Sequence, residues 1–328
     1  MKKIFSGLTA LFAALLLPLI ASAHEVYVLP HGEVAKDLAI PAFNVFDALK
    51  NQQDLHLTII ITACVTFVML LNFIFRHSPL GDRVRKIFEK GEGWGTHFVR
   101  LAVAISLFYS AYTWSFLGPE LSLHIFPFAS IVRTALFVVS FLFFFNIATE
   151  AAALVALVIF GLAVYKYDWY MFTYFNYFAE ILVLLFITSR KSYFWEKYRS
   201  AIIRIGYGVA LGYAAIYVKF LHPWLTLDVV NDYNLTRFHL LFPHDPLLVV
   251  LGAGLAELAI ATFIFLGFEL RLTVLISLFY ITLSVLFFRE QVWPHLILYG
   301  ISFDILFSKE TFSLDNFFDK YIRFGKKA

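Results

Sequence analysis

The sequence predicts an all-α polytopic membrane protein of about nine transmembrane helices, arranged as one leading helix plus two four-helix bundles. Three observations lead there. The chain is 61% hydrophobic and only 15% charged, with mean hydropathy +0.78, whereas a soluble domain is about 25% charged. Apolar runs recur near residues 55–75, 98–117, 129–147, 150–166, 171–188, 201–220, 247–266, 271–288 and 293–307. Each is close to the roughly 20 residues a helix needs to cross a bilayer. Between the runs, Lys and Arg gather in RHSPLGDRVRKIFEKGEG, SRKSYFWEKYRS and FFDKYIRFGKKA, the bias expected of cytoplasmic segments.

Residues 1–23 read as a signal peptide. Lys2 and Lys3 start it, LTALFAALLLPLI is its apolar centre, and Ala21-Ser22-Ala23 fits small-x-small cleavage. Cleavage there leaves His24 as the mature N-terminus; the alternative is an uncleaved anchor. Residues 24–54 form a short extracytoplasmic segment, too short for a domain. The first transmembrane helix follows at 55–75, a four-helix block at 98–188, a second at 200–316, and a basic cytoplasmic tail at 317–328. The weakest boundary is Asn146–Glu150, where no Gly or Pro marks a turn. Merging 129–166 into one span would move SRKSYFWEKYRS outside, so the two runs are kept apart. This topology expects the cytoplasmic (inner) membrane, with the N-terminus outside and the C-terminus cytoplasmic.

The two blocks carry a faint internal repeat. Arg100 precedes LAVAISLFYSAY and Arg204 precedes IGYGVALGYAAIY, each followed nine residues later by a tyrosine, Tyr109 or Tyr213. Both arginines stand at the cytoplasmic start of a span, from which they can snorkel to lipid phosphates. Gly206, Gly208 and Gly212 recur at the spacing that lets helices approach closely. Trp114, Trp224 and Trp293 fall near predicted interfaces and read as anchors.

Composition also excludes several chemistries. The single cysteine, Cys64, forms no internal disulfide, CxxC pair or haem-attachment CxxCH. No basic stripe with interleaved aromatics appears, so nucleic acid is not an expected partner; the lipid bilayer is. Histidines lean to the outer side: His24, His31, His124, His222, His239, His244 and His295, with His56 nearby. A copper or zinc site built from His24, His31, His239 and His244 is one reading, because imidazole suits both metals. The competing reading is interfacial histidines satisfied by carbonyls and water. A second polar set is Lys219, His222, Glu257, Arg289 and His295. Glu257 falls about ten residues into its span, near mid-membrane, where a carboxylate needs a partner or a wet pocket. Such a pocket could hold a quinone headgroup or a small anion; a purely structural network is the alternative.

The second block resembles the DoxX family of four-helix membrane proteins. The resemblance rests on Arg204 opening a Gly-rich helix, Lys219 and Pro223 near its end, and Glu257 inside the next helix. Gly267 and Arg271 at a short loop and the closing Ser313-Leu314-Asp315 complete it. It covers about residues 200–316; the first block matches only at Arg100 and its helix. The loop WLTLDVVNDYNLTRFHLLFPHDP is longer than the family pattern. Some relatives are the membrane subunit of a thiosulfate:quinone oxidoreductase, and others act in oxidative-stress complexes. The resemblance thus implies a membrane subunit working with other membrane or periplasmic redox subunits, with quinone as the expected cofactor. The alternative class is metal handling, small-solute transport or non-catalytic assembly.

Overall fold

The computed structural model describes residues 78–91, 93–189, 193–237, 245–309 and 311–321, plus a few isolated earlier positions. The predicted signal, the run at 55–75, most of the 24–54 segment and most of the tail lie outside the described residues, as do the candidate metal residues His24, His31, His239 and His244. The described chain is helical apart from a two-stranded ribbon. Its elements are α1 (Pro79–Glu89), α2 (Gly95–Tyr112), β1 (Ser115–Phe116), β2 (Gly118–Ser122), α3 (Ala129–Phe145), α4 (Thr149–Tyr167), α5 (Phe175–Ser189), α6 (Tyr193–Ala214), α7 (Pro223–Asp232), α8 (Pro246–Leu266), α9 (Leu270–Phe288), α10 (Val292–Phe307) and α11 (Leu314–Tyr321). α6 continues as a π-helical segment over Ala215–Leu221.

Four helical runs are long and apolar enough to cross a membrane: Thr149–Phe186, Lys197–Leu221, Pro246–Leu266 and Leu270–Phe288. Ala129–Phe145 and Val292–Phe307 are shorter apolar helices. The protein is therefore an all-α membrane protein, as expected where lipid forces each segment to satisfy its own backbone. The run 149–186 is not one straight helix. Asp168 has φ 53 and ψ −136, a 3-10 stretch occupies Asp168–Tyr174, and the Phe160 and Phe178 rings meet at 5.8 Å. Eighteen residues of straight helix would part them by about 27 Å, so α5 folds back on α4.

Left-handed caps make several of the reversals. Asn146 (φ 58), Gly267 (φ 67) and Arg289 (φ 57) end α3, α8 and α9. In each, the next N–H reaches back five residues: Ile147 to Leu142, Phe268 to Phe263, Glu290 to Val285. This is the Schellman closure. Asn146 thus supplies the break between α3 and α4 without Gly or Pro, because asparagine tolerates this backbone region. At the other ends, Ser78 and Asp245 cap α1 and α8 by accepting from Gly81 and Leu247 N–H, each with proline in the first turn.

Neighbouring helices run antiparallel, and small residues set the contacts. A Cβ on Gly206 would meet Ala179 Cβ, one on Gly208 the backbone of Phe265, and one on Gly300 Ala102 Cβ. Each block closes on itself, α2–α3–α4–α5 and α6–α8–α9–α10, and the two blocks also pack broadly against one another. α10, last helix of the second block, packs most extensively on α2, first helix of the first, and α5 packs on α6. Gly300 opposite Ala102 explains this: two small faces let α2 and α10 close together. One buried core spans both blocks. Trp293 is buried and stacked on Tyr109 at 6.2 Å, facing a helix rather than the lipid surface expected of an anchor.

Candidate functional site

Two ends of the helical layer can be told apart. The basic end carries α1, the α3–α4 turn, the start of α6, the α8–α9 turn and α11. The opposite end carries the β-ribbon, the 3-10 stretch, α7 and the α9–α10 turn.

At the basic end, the resemblance residues build a clasp. Arg204 is buried and donates to the carbonyls of Ile264 (3.2 Å), Phe265 and Phe312 (3.0 Å). Asp315 accepts from the N–H groups of Glu269 (2.9 Å) and Leu270 (3.3 Å), capping α9 from another element. A Cβ on Gly267 would strike Ser313 and Arg204, so the loop closes only around glycine. Arg271 stands 3.9 Å from Glu89. Arg100 repeats the device: it donates to the α3-terminal carbonyls of Phe143 and Phe144 (3.0 Å). Both arginines therefore cap the next long helix of their own block, where their charge complements the negative end of the dipole.

Toward the opposite end lie three polar groups. In the first, Lys219 sits in the π segment, a deviation that often marks function. Its Nζ is 3.0 Å from Glu257 Oε2, with side chains only 4% and 12% exposed, and Tyr280 donates to Glu257 Oε1 at 3.1 Å. The second sets His295 Nε2 against a carboxylate oxygen of Glu290, both side chains buried, with Ser284 donating to the same carboxylate. In the third, Glu120 of β2 accepts from Tyr170 (3.1 Å) and Tyr174.

A cavity of about 80 Å³ opens between α5, α6 and α10, lined by Tyr170, Tyr174, Asn176, Tyr177, Tyr207 and His295 among others. Tyr207 shares a 2.7 Å hydrogen bond with Ser277. The lining is aromatic with polar tips, the usual make-up of a ligand pocket, and holds roughly five waters.

The five ligand candidates thus part company. Lys219 and Glu257 meet, and His295 lines the cavity and pairs with Glu290. His222 ends the π segment, its ring 4.9 Å from that of Tyr217 and its Nδ1 buried without a hydrogen bond. Burial lowers the His222 pKa. Arg289 is exposed, because its left-handed backbone turns the next residue inward; Glu290 takes the inner place. Among the described residues, no three His, Cys, Asp or Glu side chains group as a metal site. Sequence reasoning missed Glu120, Glu180 and Asp304. Glu180 and Asp304 each stand alone in an apolar run, the same signal that singled out Glu257. No protein-family model matches this chain, and no curated protein or solved structure matches it.

Proposed function

We propose that this chain is a DoxX-like membrane subunit of a quinone-linked redox system, and that a quinone headgroup or similar small polar ligand enters the cavity between α5, α6 and α10. The observation that carries the proposal is the cavity itself, an aromatic, polar-tipped space inside an apolar layer. At about 80 Å³ the space is smaller than the roughly 150 Å³ that takes benzene, so a quinone would enter by one carbonyl edge, with the rest of its ring and an isoprenoid tail toward lipid. Asn176 offers an amide donor to a carbonyl, the tyrosine rings offer stacking faces, and the His295–Glu290 pair can accept a proton from a quinol hydroxyl. Electrons pass to or from a partner redox subunit.

This reading keeps the nine-span topology, with the cavity end outside and the basic end cytoplasmic. The placement of positive charge supports it: Arg83, Lys86, Lys90, Lys197, Arg199 and Lys309 all lie toward the basic end. Solvent extraction of the protein, purified in mild detergent, provides the test. Near-stoichiometric quinone, and reduction of added quinone by a thiosulfate-like donor in the native membrane, are expected. Quinone-free protein with neither binding nor electron transfer contradicts the proposal.

A further inference from the structure

α5 carries one carboxylate that none of the polar groups above uses. Glu180 is 0% exposed, and neither oxygen has a hydrogen-bond partner among the described residues. One turn earlier on the same face, Asn176 is buried and its Oδ1 also lacks a partner. Asn176 lines the cavity with Tyr177, Tyr207 and His295. On α10, nearer the basic end, Asp304 is 0% exposed. Its Oδ1 lies 3.3 Å from Arg199 Nη2 and accepts from Ser308 at 3.3 Å, while Oδ2 has no hydrogen-bond partner among the described residues. Arg199 also donates to Thr96 and Ser308. The two carboxyls stand on α5 and α10, which with α6 wall the cavity.

The orphan atoms are all acceptors: both Glu180 oxygens, Asn176 Oδ1 and Asp304 Oδ2. Acceptors cannot satisfy one another, so hydrogen is what the cluster lacks. An ionised carboxylate without a partner is strongly disfavoured in such surroundings. A proton removes the charge and supplies a donor at once.

We infer that Glu180 is a proton-binding site and the central carrier of a proton path from the cavity to Asp304 at the basic end. The inference rests on the cavity and the two carboxyls, whatever ligand the cavity takes. Protonated Glu180 gives its proton to the Asp304 carboxylate, leaving Glu180 ionised and Asp304 neutral. A cavity water, recharged by the His295–Glu290 pair, returns a proton to Glu180. Asp304 then releases its proton past Ser308 to the basic end and recovers its pairing with Arg199. One proton moves and nothing is oxidised or reduced. The titratable groups around this route are Tyr177 on α5, Tyr207 and Arg199 on α6, and His295 and Asp304 on α10. Ser106 of α2 adds a buried hydroxyl, and Glu120 of β2 accepts from Tyr174, which also lines the cavity.

Proteoliposomes loaded with a pH-sensitive dye, under a valinomycin-set potassium potential, test the path. Wild-type protein is expected to pass protons well above empty liposomes. Glu180→Gln is expected to lower the flux at least tenfold, Glu180→Asp to retain part of it, and Asp304→Asn to slow it. Infrared spectroscopy gives an independent readout: a protonated-carboxyl carbonyl band that shifts in D2O and is missing in Glu180→Gln. Wild-type flux no higher than empty liposomes, an unaffected Glu180→Gln, no such band, or a flux that requires sodium each overturns the inference.

Discussion

Lys219 and Glu257 show what a single ion pair does in this layer. Each charge alone would be costly, and together with Tyr280 they satisfy one another at about 3 Å. Removing one partner leaves the other buried. Lys219→Met is therefore expected to destabilise the protein by about 3–5 kcal/mol, whereas Tyr280→Phe should cost only about 1 kcal/mol; thermal denaturation in detergent compares them. A near-neutral Lys219→Met would show that water reaches Glu257. His222 has a different consequence. Burial lowers its folded pKa below the usual 6.5, so the unfolded chain binds the extra proton first. Its contribution is complete above pH 6.5 and is lost as pH falls toward the folded value. Melting temperatures of wild type and His222→Asn should diverge at neutral pH and converge in acid; parallel curves would remove His222 as the cause. Arg289 was legible as a charge at a span end, but its left-handed backbone was not, and that backbone decides that Glu290 faces inward.

Helices were the most legible level. Eight of the nine apolar runs coincide with described helices, for example 129–147 with Ala129–Phe145 and 247–266 with Pro246–Leu266. Length and hydropathy suffice for that because lipid admits few other structures. Helix pairing was less legible, since it depends on which small faces meet. The glycine contacts make this quantitative. Gly208→Ala would place a Cβ 2.7–2.8 Å from Phe265 atoms, including its backbone, whereas at Gly212 the nearest atom is 3.4 Å away and at Gly161 nothing lies within 4 Å. Gly208→Ala is expected to cost about 1–3 kcal/mol. Gly161→Ala should be neutral or stabilising by about 0.5–1 kcal/mol. Equal effects at both positions would mean that α6 and α8 are not in this register. Asn146 carries a similar lesson: its side chain predicts a cap, but only its φ of 58 shows that α3 and α4 part there.

Across the whole molecule, the clasp and the cavity occupy opposite ends, and α6 reaches both. Arg204 holds the α8–α9 turn at one end, Tyr207 touches the cavity one turn on, and Lys219 closes the helix on Glu257. The residues that carry the DoxX resemblance divide the same way, into a structural clasp and a buried pair. A polar pocket was expected around Glu257, within the second block; the cavity lies elsewhere. Its walls come from α5 in the first block and α6 and α10 in the second, and no linear pattern announces a space shared between blocks. Among the described residues, His295 alone of the sequence candidates lines it. Ala210 lines it too, from α6, and gives a clean way to fill it. Isothermal calorimetry of a short-chain quinone with wild type and Ala210→Leu, each checked for equal melting temperature, tests the cavity as the ligand site most directly. Saturable one-to-one binding by wild type, weakened at least tenfold in Ala210→Leu, is the predicted result. Equal binding by both proteins, or none by wild type, would contradict it.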